Sequence, residues 1–103
     1  MTTHQDMAKA LHMLKTLGHP VRLSILCNLI EKGEMNAGDI VRQESPLSSQ
    51  SQTSQYLRKL RDEGLISARK EGQHVYYRLN SEDVKALIGV LHRLYCGDDS
   101  CAP

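Results

Sequence analysis

The chain has no tryptophan and no phenylalanine, and four tyrosines are its whole aromatic complement among 103 residues. Leu, Ile, Val and Met must therefore fill any core. No apolar run approaches the ~20 residues that span a bilayer. The first residues, MTTHQDMAKALHM, lack both a basic leader and an unbroken apolar stretch, so they do not read as a secretory signal. A cytoplasmic protein with no membrane partner is expected. The three cysteines form no C-x-x-C, which argues against a dithiol oxidoreductase. No repeat and no linker interrupts the sequence. Residues 1–103 read as a single domain, with about 97–103 a loose tail. A core of this size is marginal alone, which favours an oligomer.

What is present is unevenly placed. The formal net charge is +1, yet Arg58, Lys59, Arg61, Arg69, Lys70 and Arg78 meet only Asp62, Glu63 and Glu71 within their segment. That segment is +3 and the remainder −2. Cations gathered on one stretch suit a polyanion, although a solvated surface gives the same composition. The segment's beginning decides between the two. From Ser49 the sequence runs SQSQTSQYLRKLRDEGL, a helix whose outward positions are Ser and Gln before it turns basic. Uncharged hydrogen-bonding side chains in succession fit a helix lying in a DNA major groove, where they meet base edges and phosphates.

The helix is one of five expected. Met7, Ala10, Leu11, Leu14 and Leu17 repeat at helical spacing, predicting a first helix over about 5–17 that Gly18 stops. Pro20 suits the first position of a second, which is apolar nearly all round and therefore central. Asn36, with Asp39 three residues on, marks the cap of a short third helix over about 36–43. Ser49 and Gln52 stand in capping-box spacing ahead of the fourth, whose inward face is Thr53, Leu57 and Leu60. Leu65–Lys70 and Gln73–Leu79 read as a hairpin turning at Glu71–Gly72. Asn80 to Asp83 then caps a fifth helix with the apolar stripe Val84, Leu87, Ile88, Leu91, Leu94 and Tyr95. The fold class is thus mainly α with a β-hairpin, a winged helix-turn-helix. One small core cannot bury the stripes of both the first and last helices, so these are expected to pair in a homodimer.

The stretches LGHPVRLSILCNL, SQTSQYLRKLRDEGLISARKEGQHVYYRL and VKALIGVLHRLYC resemble the ArsR/SmtB bacterial repressors. The pairing of ILC in the second helix with LHRLYC at the end resembles the HlyU/BigR/SqrR-type thiol-based sensors in particular. The resemblance implies a homodimeric winged-helix transcriptional regulator, not an enzyme, that binds an imperfectly palindromic operator and needs no cofactor. Carried over by position, the DNA-contacting residues are Ser49, Gln50, Ser51, Gln52, Ser54, Gln55 and Arg58. Arg69, Lys70 and Gln73 belong to the wing. Tyr56 stands where the family often has His, and Ser48 where it often has an apolar residue.

Metal-sensing members use sites that are altered in this sequence. The third helix offers Met35-Asn36-Ala37-Gly38-Asp39 where a C-x-C pair would take a soft cation. The fifth-helix zinc pattern falls on Asp83, Lys85, Cys96 and Asp99, and an ammonium group does not ligate zinc. No metal ligands are therefore assigned. The resemblance instead implies Cys27 and Cys96 as a redox-sensing pair, closed by a disulfide or a sulfur bridge and answering to reactive sulfur species or another oxidant. From position alone, Cys27 reads equally as a small buried hydrophobe. Two other readings stay open: a metal-responsive repressor using Cys96, Cys101 and His92, and a ligand-independent architectural module.

Overall fold

The computed structural model describes residues 3–95. Eight elements follow in order: α1 (His4–Leu17), α2 (Pro20–Lys32), β1 (Met35–Asn36), α3 (Ala37–Glu44), α4 (Gln50–Asp62), β2 (Ile66–Glu71), β3 (His74–Leu79) and α5 (Glu82–Tyr95). The expected mainly helical winged helix-turn-helix is the observed fold. Thr3 opens α1 through a capping box with Asp6, and Ser81 caps α5 by accepting from the Asp83 amide at 3.1 Å. α2 lies at the centre, with Val21, Ile25, Leu26, Cys27 and Leu29 all buried. Ile40 of α3, Leu57 and Leu60 of α4, Ile66 of β2 and Val84 and Ile88 of α5 close the core around it.

Three local features differ from the sequence expectations. β1 was not expected: two residues are too few to show alternation. It pairs antiparallel with β3, Met35 opposite Tyr77 and Asn36 opposite Tyr76, and completes a sheet of order β1-β3-β2. The hairpin turns one residue later than expected, because Glu71 faces His74 and leaves Gly72-Gln73 as the loop. Gly72 has φ +62°, a conformation that L side chains rarely adopt. Finally, Asn36 alone caps α3, its side chain accepting from the Gly38 amide at 2.7 Å. Asp39 turns away to pair with Arg42.

Met7, Leu11 and Leu14 of α1 and Val90, Leu94 and Tyr95 of α5 stay exposed, Leu14 at 61% and Tyr95 at 81%. Buried polar groups are also present. Glu44 at the end of α3 is 2% exposed, and its carboxylate accepts from the Ser24 hydroxyl at 2.8 Å. Burial pushes its pKa above the ordinary carboxyl value, with the Ser24 hydrogen bond opposing. Folding therefore favours the protonated form. That stabilisation is fully present below the unfolded pKa of about 4.3 and is lost as pH rises through the raised folded value. Glu44→Gln, neutral throughout, should accordingly gain in melting temperature on the wild type as pH rises from mildly acidic to neutral. A difference that shrinks over that range in thermal melts would contradict the assignment.

Candidate nucleic-acid interface

The outward face of α4 is set by its inward one. Thr53, Leu57 and Leu60 are 0%, 3% and 0% exposed. With those three buried, Gln50, Ser51, Gln52, Ser54, Gln55 and Arg58 all fall on the solvent side. The N-terminus is held by both halves of the expected capping box. Gln52 donates its amide to Ser49 Oγ, and the Ser49 amide donates to Gln52 Oε1, each at 3.1 Å. Such a cap contributes about 1 kcal/mol and fixes where the helix begins.

Two further ties hold α4 to the body. Tyr56 Oη lies 3.1 Å from His19 Nε2, with the rings 4.7 Å apart, while His19 Nδ1 accepts from the Val21 amide and caps α2. At the far end, Glu63 receives His12 Nε2 at 2.8 Å and the Thr16 hydroxyl at 3.3 Å from α1, and Lys59 approaches at 3.7 Å. Sequence reading missed His19, Tyr56 and Glu63 as anchors. Their partners lie 37 to 51 residues away, and nothing in the local pattern announces such pairs.

The wing residues differ in their freedom. Arg69 is engaged: it donates to Glu34 at 2.9 Å, pairs with Glu71, and lies 4.7 Å over the Tyr76 ring. Its guanidinium holds the Glu34 carboxyl below the usual range. Lys70 and Gln73 are exposed at the tip. Among the described residues, neither Lys70, Arg58 nor Arg61 has a carboxylate partner. Arg58 and Arg61 line a cleft between α3, α4 and the sheet together with Ser54 and Tyr77. Unneutralised positive charge thus gathers on the second half of α4 and at the wing tip.

Cys27 lies in the core, not on that face. Cys27 is a free thiol, 5% exposed within the core. Burial first, then the Glu31 charge, pushes its pKa up, so the thiol form is favoured. Cys96 and Cys101 lie outside the described residues. His92 Nε2 of α5 lies 3.5 Å from Glu31 Oε2 of α2, and Glu31 stands four residues after Cys27 in the sequence. Among the described residues no cluster of three His, Cys, Asp or Glu side chains is arranged to hold a metal. No helix among them is long and apolar enough to cross a membrane.

A capped, polar-faced helix beside a basic hairpin, both carried on a helical core, defines a winged helix-turn-helix DNA-binding protein. Residues 19–68 match the model of the bacterial regulatory protein arsR family. The transcriptional activator HlyU of Vibrio cholerae is 46% identical over 93 residues, covering 89% of this chain and 82% of that protein. The biofilm growth-associated repressor of Xylella fastidiosa is 34% identical over 104 residues, covering 97% and 89%. The structure of reduced HlyU from Vibrio cholerae superposes with a TM-score of 0.78 at 46% identity, covering 89% and 94%. The chain belongs to the ArsR family of DNA-binding transcriptional regulators, and these relatives are regulators, not enzymes.

The burial of Cys27 has a direct chemical outcome. In the native protein it should react with N-ethylmaleimide far more slowly than in denaturant, read by peptide mass spectrometry after a timed pulse. Equal rates in the two conditions would contradict its place in the core.

Proposed function

We propose that the protein is a homodimeric repressor whose operator affinity is lowered when Cys27 and Cys96 are oxidised to a disulfide or joined through sulfur. The observation that carries the DNA half is the rotation of α4, which turns Ser49, Gln50, Ser51, Gln52, Ser54 and Gln55 outward together. These residues would read base edges, with Arg58, Lys70 and Gln73 on phosphates or the minor groove. Arg69 would join them only by exchanging Glu34 and Glu71 for phosphate. The unpartnered stripes of α1 and α5 support a dimer. Two α4 helices related by a two-fold axis would enter half-sites about 10 bp apart, or a multiple of that.

The thiol half rests on the kinship with HlyU, one of whose solved structures is described as reduced, and on the packing of α2 against α5. The His92–Glu31 contact ties those two helices together, and in the sequence each of its residues stands four positions from one of the two cysteines. Cys27, buried and held as the thiol, is a poor nucleophile until it loses its proton, so it would act second. Cys96 as thiolate would attack a polysulfide sulfur and expel a shorter thiolate. Cys27 would then attack that adduct, giving up its proton and releasing a second thiolate. The two cysteines together lose two electrons to the polysulfide.

Fluorescence anisotropy on DNA from the gene's own upstream region tests this, with reduced and polysulfide-treated protein at one salt concentration. Tight binding when reduced, lost with polysulfide and restored by dithiothreitol, is the expected result. Cys27→Ser or Cys96→Ser protein that still loses DNA on oxidation would refute it. Substitutions on the DNA face should separate by kind. Lys70→Ala should weaken binding to every duplex and reduce the salt slope by about one, whereas Gln55→Ala should change sequence preference. Identical effects from both, in salt-titrated binding to matched and scrambled duplexes, would count against the assigned roles.

A further inference from the structure

Among the described residues, five polar ones are buried in this small core: Thr16, Asn28, Glu44, Ser48 and Thr53. Four of them fall on one connected path. Asn28 Nδ2 donates to the Ser24 backbone carbonyl at 2.9 Å and to Ser24 Oγ at 3.3 Å. Ser24 Oγ donates onward to Glu44 Oε2 at 2.8 Å, crossing from α2 to the end of α3. The backbone carbonyl of Glu44 then accepts the amides of Leu47 and Ser48, both at 2.9 Å, and so folds the turn between α3 and α4. Ser48 Oγ accepts from the Thr53 hydroxyl at 3.0 Å, inside the second turn of α4. The path begins in the central helix and ends beneath the DNA-facing residues.

A greasy contact would bury this junction at lower desolvation cost, but it would tolerate sliding. Hydrogen bonds between buried groups do not, because a shift of an ångström leaves a donor or acceptor unsatisfied in a medium without water. Glu44 is the only charged side chain in the path, and it joins two segments at once: its side chain reaches α2 and its carbonyl holds the turn toward α4. Its side chain fixes where α3 ends against α2. Its carbonyl fixes where the turn leaves α3.

We infer that Glu44 is a positioning residue for sequence discrimination: through Ser24 and the turn at Leu47–Ser48 it sets the pose of α4 against α2, without touching DNA. The inference rests on α4 being the helix that reads the duplex. It separates two quantities that a purely stabilising residue would move together. Binding to DNA of any sequence depends on folded protein and exposed cations. Preference for one sequence depends on the placement of a few side chains to within fractions of an ångström.

The test compares affinity for a duplex enriched by the wild-type protein from a random-sequence library with affinity for a scrambled duplex of equal composition. Glu44→Met keeps side-chain length and removes the acceptor. It should lower the enriched-to-scrambled ratio by about tenfold, a loss of about 1.4 kcal/mol of discrimination, with thermal melts showing the protein still folded at the assay temperature. Glu44→Gln, which retains an oxygen for the Ser24 hydroxyl, should stay within about threefold of wild type. Ser24→Ala, cutting the path from the other side, should lower the ratio as Glu44→Met does. An unchanged ratio in Glu44→Met, or equal losses on both duplexes, overturns the inference. Gln55→Ala is measured alongside. If it lowers the ratio while Glu44→Met does not, only the role of Glu44 fails; if neither does, the reading of DNA by α4 fails with it.

Discussion

Thr53, Leu57 and Leu60 are nearly sealed from water, and their burial fixes the rotation of α4 about its own axis. A helix turns 100° per residue, so a change of buried face by one position would carry Gln52 or Ser54 inward and bring a core leucine out. The apolar contact supplies the free energy but defines the angle only coarsely. Finer definition comes from polar ties at three heights: Ser48 at the base, His19 at the middle and Glu63 at the top. Each joins α4 to a different part of the body. The helix is therefore held in rotation by grease and in tilt by hydrogen bonds.

The same division organises the charges. Carboxylates with structural work are drawn inward or paired: Glu44 under α2, Glu63 beneath α1, Glu34 against the wing. Arg58, Arg61 and Lys70 are left without such a partner, on the face that carries the outward side of α4 and the wing tip. An almost neutral protein in this way presents a basic face, because these three cations have no carboxylate partner among the described residues.

Much of this was legible in the sequence. The capping box at Ser49 and Gln52, the inward face of α4 and the centrality of α2 all follow from local spacing, since each depends on residues within a few positions of one another. The hairpin was legible to within one residue, because glycine marks a turn without specifying which of its neighbours shares it. β1 was not, being too short for a period. The ties through His19, Tyr56, Glu63 and Glu44 were not legible either, because a hydrogen bond between residues 20 to 51 positions apart leaves no trace in either partner's neighbourhood. Cys27 marks the boundary between these cases: its helix predicted burial, the family resemblance predicted reactivity, and the structure speaks to the first.

Arg69 carries a consequence of another kind. Clasped between Glu34 and Glu71 and laid over Tyr76, it arrives at any phosphate already wearing its counterions, and these are covalently part of the protein. Mobile salt ions leave when a bare cation meets DNA, and their release drives association at low ionic strength. Tethered carboxylates cannot leave. A wing that meets DNA as proposed would do so as a partly discharged surface, with fewer free cations to set its response to ionic strength than the sequence of the hairpin contains.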